Sequence, residues 1–196
     1  MPDIQSPLAS VRTPGRFGAS FDAGPGITLS DAPLSGLVQI AGWDGFETAV
    51  QPALKTLGFT DAGDFRNSRQ SGNTTLFRTA PDRVLITGAS AGDVLEIAGA
   101  NAELAVLDLG HARLQINVEG RNAERLMAQL APIDFRLNAM PVGSFVQTGI
   151  HHIGVLIHRT SATRFELMVP VTFARGLWQF IGLNAAPYGY DVLEAA

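Results

Sequence analysis

The reactive side chains in this sequence that could act together are Ser90, Asp108, four histidines (His111, His151, His152 and His158) and the arginines among them. Ser90 lies in Gly88-Ala89-Ser90-Ala91-Gly92, which fits G-x-S-x-G, the sharp turn that presents a nucleophilic serine after a strand. Asp108 and the histidines follow it, so the chain order Ser, Asp, His is formally available. The same glycines, taken from Thr87, also fit a dinucleotide-binding turn, in which backbone N–H groups and a helix N-terminus hold a pyrophosphate. The third glycine of that pattern is replaced by Val94, and no Tyr-x-x-x-Lys is present. His151-His152 raises the question of a metal. However, neighbours on a strand face opposite ways, and no Asp, Glu or His partner lies at short ligand spacing. A hairpin with one exposed and one packed histidine is the expectation there. Asp108, His111 and Arg113 form a candidate polar cluster at a strand start, unless Asp108 and His111 simply bond the backbone of a turn.

Which of these readings holds depends on the elements that carry the residues. Residues 1–35 are rich in Pro, Gly, Ser and Asp and read as an extended N-terminal arm. "GLVQIAG" (36–42) is a strand, and "DGFETAVQPALKTLGF" a helix with Asp44 as N-cap and Glu47 completing a capping box. Residues 60–73 form a polar loop. "TTLFRTAPDRVLIT" is a hairpin, and a short helix follows from Asp93, with Ser90 and Asp93 in the S-x-x-D arrangement of a helix start. "AELAVLDL" and "ARLQINVEG" are strands, and "RNAERLMAQLAPIDF" is a helix with Ala123, Leu126, Met127 and Leu130 on its apolar face.

The two helix regions repeat. Residues 37–59 and 113–135 align without a gap at an offset of 76, placing Gln39 on Gln115, Ile40 on Ile116 and Leu54 on Leu130. The following hairpins align at an offset of 81, with Arg78-Thr79 on Arg159-Thr160 and Arg83 on Arg164. A shared order of elements at a fixed spacing is the mark of internal duplication. The fold expected is a single α+β domain, 36–196, of two ferredoxin-like βαββα halves (about 36–104 and 105–185) related by a pseudo-two-fold. In that frame the strand before Ser90 is the second strand of an antiparallel hairpin. A dinucleotide turn and a nucleophile elbow both require a parallel strand with a crossover behind it. Ser90 is therefore expected to cap a helix, with a serine hydrolase kept as the alternative.

Composition narrows the function classes. The chain of 196 residues is 46% hydrophobic and 16% charged, which favours a packed fold and is low charge for a solitary surface. A net charge of −4 argues against nucleic acid, and the scattered basic residues against an anionic membrane. There are no cysteines, which removes disulfides and thiolate chemistry and suits a reducing cytosol. Neither an apolar leader nor a membrane-length run is present, so a cytoplasmic protein is expected. The segment "FARGLWQFIGLNAA" is apolar around most of its circumference. Leu177, Trp178 and Phe180 are its candidate subunit contacts.

The second half carries further motifs in order. Asp108 to Arg113 reads D-L-x-H-x-R, and Gly120 to Leu126 reads G-x-x-A-x-x-L. There follow Gln147-Thr148, the L-I-H-R of 156–159, the F-x-L-x-V-P of 165–170 and the F-A-x-x-L-W of 173–178. This run resembles the gamma subunit of heterotetrameric sarcosine oxidase. The first part of it is similar to the wider folate-binding group that includes the aminomethyltransferase of the glycine cleavage system. The resemblance covers residues 105–182 well and the first half in outline, and Gly110 stands where relatives commonly have Ser. It implies a four-chain enzyme that oxidises sarcosine to glycine with release of hydrogen peroxide, and with folate forms methylenetetrahydrofolate. FAD, FMN, NAD and tetrahydrofolate would sit on the larger subunits, and a small zinc-type subunit would complete the complex. This chain would carry no catalytic, cofactor-binding or metal-binding residue, and would serve assembly. A stand-alone folate-binding or aminomethyltransferase-like protein is the alternative within the same group.

Overall fold

A computed structural model describes residues 6–34, 36–89 and 91–194. In chain order its elements begin with β1 (Gly15–Phe17), β2 (Ile27–Pro33), β3 (Val38–Gly42), α1 (Phe46–Thr56), β4 (Arg69–Ser71), β5 (Thr74–Ala80), β6 (Arg83–Thr87) and α2 (Ala91–Ala98). They continue with β7 (Leu104–Asp108), β8 (Arg113–Glu119), α3 (Ala123–Leu130), β9 (Phe145–Ile150), β10 (Ile153–Ser161), β11 (Arg164–Pro170), α4 (Val171–Ala185) and β12 (Tyr190–Val192). The fold is α+β, with two sheets and four helices among the described residues.

The chain divides into two compact units. One comprises Leu34–Ala112 with Gly143–Val146, and the other the rest of the described chain. The first unit holds a five-stranded sheet in the order β4-β5-β6-β3-β7, antiparallel throughout. From β3 to β7 this is the βαββαβ path with spatial order 4-1-3-2, the ferredoxin-like arrangement. Its core joins Val38, Ile40, Leu76, Val84 and Ile86 of the sheet to Phe46, Val50 and Leu54 of α1 and Val94 of α2. These α1 residues fall at the 3–4 spacing that puts them on one face.

The expected capping box of α1 does not form. The N-cap is Gly45 in the left-handed region (φ 85°), no side chain caps the helix, and Glu47 pairs with Arg78 instead. Glycine at that backbone geometry frees Asp44 from the turn.

The second unit holds a seven-stranded sheet in the order β1-β12-β2-β8-β11-β10-β9. Its inner part, β2-β8-β11-β10, repeats the 4-1-3-2 order, with β2 in the place of the fourth strand. The described part of the expected arm, residues 6–34, is therefore more than an arm. Ile27 and Leu29 are buried in β2, which pairs antiparallel with β8 and parallel with β12. The segment before β2 is anchored by the buried Leu8 and by an ion pair of Arg12 with the buried Asp31, which also accepts from the Ser6 hydroxyl. The expected boundary at 104/105 also moves. β7 pairs with β3 and completes the first sheet, so the second half begins at β8. Two consecutive strands with apolar stretches do not reveal locally that they belong to different sheets.

Helix α4 packs on β8 and β11. On that face of the sheet Leu114, Ile116, Val118, Phe165, Leu167 and Ile157 are buried, together with Leu177 and Ile181 of α4.

Both units share one irregularity. The β5–β6 pairing slips between Arg78 and Ala80, and the β10–β11 pairing slips between Arg159 and Ser161, at the repeat offset of 81. Each bulge carries the repeated arginine. Arg159 is 1% exposed and uses all five N–H donors: Nε to Ser161 O, Nη1 to Phe135 O and Met140 O, and Nη2 to Ala162 O and Glu124 Oε2. Arg78 reaches Gly63 O, Pro81 O and Glu47, but its buried Nε has no acceptor.

Candidate functional site

Ser90 lies outside the described residues, so neither its capping role nor its nucleophilic one is placed. The strand leading to it is described, however. β6 runs antiparallel to both of its neighbours, β5 and β3. That removes the parallel strand on which both an elbow and a dinucleotide turn are built.

Asp108, His111 and Arg113 frame the connection from β7 to β8. Asp108 Oδ1 accepts from the Gly110 N–H at 2.8 Å, the short-range bond by which aspartate closes a turn. Leu109 N–H donates to Leu37 O and Ala112 N–H to Leu109 O, so the turn is fixed by backbone bonds. His111 is exposed on this turn, and no hydrogen bond joins it to Asp108 among the described residues. Arg113 opens β8 in the other unit, half-buried, where loss of solvation lowers its pKa from the usual arginine value. Asp108 thus serves the backbone of its turn.

His151 and His152 are not on a strand. They form the two-residue turn between β9 and β10, with φ of 48° and 68°, and both are exposed. Positive φ at both central residues is the geometry that matches the twist of a hairpin. The expected division into one exposed and one packed histidine is therefore corrected. His151 remains exposed while its ring stacks on Phe180 at 4.5 Å. No group of three or more metal-ligating side chains occurs among the described residues.

The three candidate contacts on α4 separate. Leu177 and Trp178 are buried within this chain and are not available to another. Phe180 is half-buried beneath His151. The large apolar residues α4 does expose are Phe173 at 53% and Leu183 at 75%, which with Phe180 follow a stripe at helical spacing. Their neighbours in sequence, Leu177 and Trp178, point into the core.

A further group was not anticipated. Ser30 of β2, Asn117 of β8, Glu166 of β11 and His158 of β10 are direct cross-strand partners, giving a polar row across four strands. The row faces away from the side packed by α4, because it alternates with Val118, Phe165 and Ile157. Asn117 and His158 are buried. Gln115 Nε2 donates to Asn117 Oδ1 at 2.7 Å, and Asn117 Nδ2 donates to Ser30 Oγ at 3.1 Å. Burial pushes the His158 imidazole down to about 4, so the ring is neutral at pH 7. Burial raises the Glu166 carboxyl, opposed by Arg164 Nη2 at 3.3 Å. Dehydration therefore drives this pair toward its neutral forms from both sides, the pattern by which proteins hold acid and base groups out of their ordinary ranges. The sequence did carry the signal. A tight hairpin centred on Ala162 sets His158 against Glu166, and Gln115 and Asn117 alternate with apolar residues.

No family model matches the sequence, and no curated protein matches it significantly. The fold has solved counterparts. A chain of the heterotetrameric sarcosine oxidase from Corynebacterium sp. U-96, solved with pyrrole 2-carboxylate, superposes with a TM-score of 0.81 at 18% identity. The match covers 98% of this chain and 99% of that one. The glycine cleavage system aminomethyltransferase T from Bartonella henselae superposes with a TM-score of 0.58 at 15% identity. That match covers 87% of this chain and 48% of the transferase, so this chain spans about half of the transferase's length. The expected α+β fold, of the kind these two proteins share, is the fold of this chain.

Proposed function

We propose that this chain is a non-catalytic assembly subunit of a flavin-dependent sarcosine oxidase complex. The observation that carries the reading is the two-way coverage of 98% and 99% against a chain of a heterotetrameric sarcosine oxidase. A fold shared in part, as with the transferase, would fit a domain of many larger proteins. A fold matched from end to end fits a subunit of that size. In this reading FAD, FMN, NAD and tetrahydrofolate belong to the larger subunits, and sarcosine is oxidised there. No helix among the described residues is long and apolar enough to cross a membrane.

The test is to purify the tagged chain from its native cells and record an absorbance spectrum of what elutes. Flavin bands with larger co-purifying chains and sarcosine-dependent peroxide formation are the expected outcome. A colourless lone chain refutes complex membership. Tetrahydrofolate binding by that lone chain would then favour a stand-alone folate-binding protein.

A further inference from the structure

Trp43 is 66% exposed, an unusual position for the side chain that most often anchors protein interfaces. Its loop, between β3 and α1, is held on both sides. Gly42 N–H donates to Asp82 O at 3.0 Å, and the N–H of the buried Phe46 donates to Trp43 O at 3.1 Å. Gly42 itself has no room for a side chain, since a Cβ there would lie 2.7 Å from the Phe46 ring. The indole is therefore presented by a fixed backbone, which lowers the ordering cost of binding through it.

Trp43 lines an open concavity of about 1080 Å³ formed by this loop, the β5–β6 turn and the α2–β7 connection, all within the first unit. Its charged lining is Asp44, Glu47, Asp82 and Glu103 against Arg78 alone. Glu47 already pairs with Arg78. Asp44, Asp82 and Glu103 have no side-chain partner among the described residues, so three uncompensated carboxylates surround the indole of a chain whose net charge is −4. Arg78, the cation of this lining, is held by Glu47 and by the Gly63 and Pro81 carbonyls.

We propose that this concavity docks a segment of a partner protein bearing arginine or lysine. The cationic head lies against the Trp43 indole within reach of Asp44, Asp82 and Glu103. The chemistry selects this occupant. An anionic ligand meets repulsion from three unpaired carboxylates. An apolar helix would strip them of water without replacing it. A basic side chain gains both the carboxylates and the electron-rich face of the indole, and guanidinium on tryptophan is the strongest common form of that contact. The concavity, at about 1080 Å³, accommodates several residues of a segment rather than a single amine. The inference rests on the charge and exposure of this unit and stands apart from the sarcosine oxidase reading.

The test is calorimetric titration of the full chain at low salt with a blocked tetra-arginine peptide, with tetra-glutamate and arginine amide as comparisons. The expected result is saturable binding of tetra-arginine with a Kd below about 1 mM, accompanied by a change in Trp43 fluorescence. Trp43→Ala should weaken it, and Asp44→Asn/Asp82→Asn/Glu103→Gln should weaken it about tenfold or more. A control carrying Asp22→Asn/Glu96→Gln/Glu194→Gln, equal in charge change but remote in sequence, should bind like the parent. All variants lie at exposed or half-exposed side chains, so unchanged melting of each confirms folding. Absence of saturable binding overturns the proposal. So does equal weakening in both triple variants, which would reduce the effect to net charge, and so does arginine amide binding as tightly as the peptide.

Discussion

His158 gives the sharpest test of the polar row, because its burial has a measurable consequence for stability. The imidazole titrates near 4 in the folded chain against a usual value of 6.5. Above pH 6.5 both folded and unfolded states hold it neutral, and it contributes nothing that varies. Between 6.5 and 4 the unfolded chain binds a proton that the folded chain refuses, so stability falls as pH falls. Below 4 both states are protonated and the loss is complete. At about 1.36 kcal/mol per pKa unit, the full difference is about 3 kcal/mol, of which about 2.5 kcal/mol lies between pH 7 and pH 4.5. Glu166 acts in the opposite sense. Its carboxyl is raised by burial, so it favours the folded state as pH falls and opposes it as pH rises through its own titration. The experiment is urea unfolding followed by tryptophan fluorescence, at pH 7 and 4.5, for the parent and for His158→Gln. Each is repeated in a Glu166→Gln background to remove the opposing carboxyl. His158→Gln should lose about 2.5 kcal/mol less than the parent on acidification, whatever its stability at pH 7. Parallel losses in parent and variant would refute the reasoning, because they would mean that the imidazole titrates as it does in water.

Three other outcomes follow from particular contacts. Arg159→Lys, which keeps the charge but offers three donors in place of a planar fork of five, should destabilise by about 3 kcal/mol in thermal or urea unfolding, because buried carbonyls lose their partners. His152→Gly should stabilise by about 1 kcal/mol, since its φ of 68° strains any residue with a Cβ and its side chain is exposed; an unchanged melting temperature would count against a left-handed turn. Trp178→Asp should cost about 4 kcal/mol or more and unfold its unit, whereas Leu183→Asp, on the exposed side of the same helix, should leave melting within about 0.5 kcal/mol. If a complex is recovered, Leu183→Asp rather than Trp178→Asp is the informative probe of whether α4 is a contact.

What could be read in the sequence was whatever is encoded at short range. The hairpins at 74–87 and 153–170 are set by alternation around a turn, and α1 and α3 by apolar residues at a period near 3.6. The repeat made the antiparallel setting of Ser90's strand legible. Non-local pairing was hidden. β2 has alternating buried residues, but the ion-paired Asp31 among them and a Pro-rich approach made it read as irregular. The split between β7 and β8 was hidden because the turn at Asp108 looks the same whether the strands it joins share a sheet or not. The contact candidates on α4 were misjudged where side-chain direction decided the issue. Leu177 and Trp178 are apolar and helical, as an interface would require, yet only the packing of α4 on β8 and β11 shows that they point inward.

The arginines at the two bulges bear on whether the halves share an origin. Few residues match between them, and two β-α units can resemble each other by chance. A shared bulge is harder to reach independently, because it inserts an unpaired residue at one place in a ladder and reorients the strand there. In both halves the slip falls at the repeated arginine, and in both its Nη2 donates to the carbonyl of the turn residue three positions on, Pro81 or Ala162. The shared feature is thus a physical device, a guanidinium that satisfies a hairpin's carbonyls while reaching an acidic residue at the start of the preceding helix, Glu47 or Glu124. From that common state the two have diverged in one respect. Arg159 is sealed under the Phe135 and Met140 carbonyls, while Arg78 lines an open concavity and its Nε is buried without an acceptor. A duplicated structural arginine needs all its bonds in both copies to do the same work. A copy that still holds its hairpin and Glu47 while lining an open concavity is where a binding role can be added without dismantling the fold.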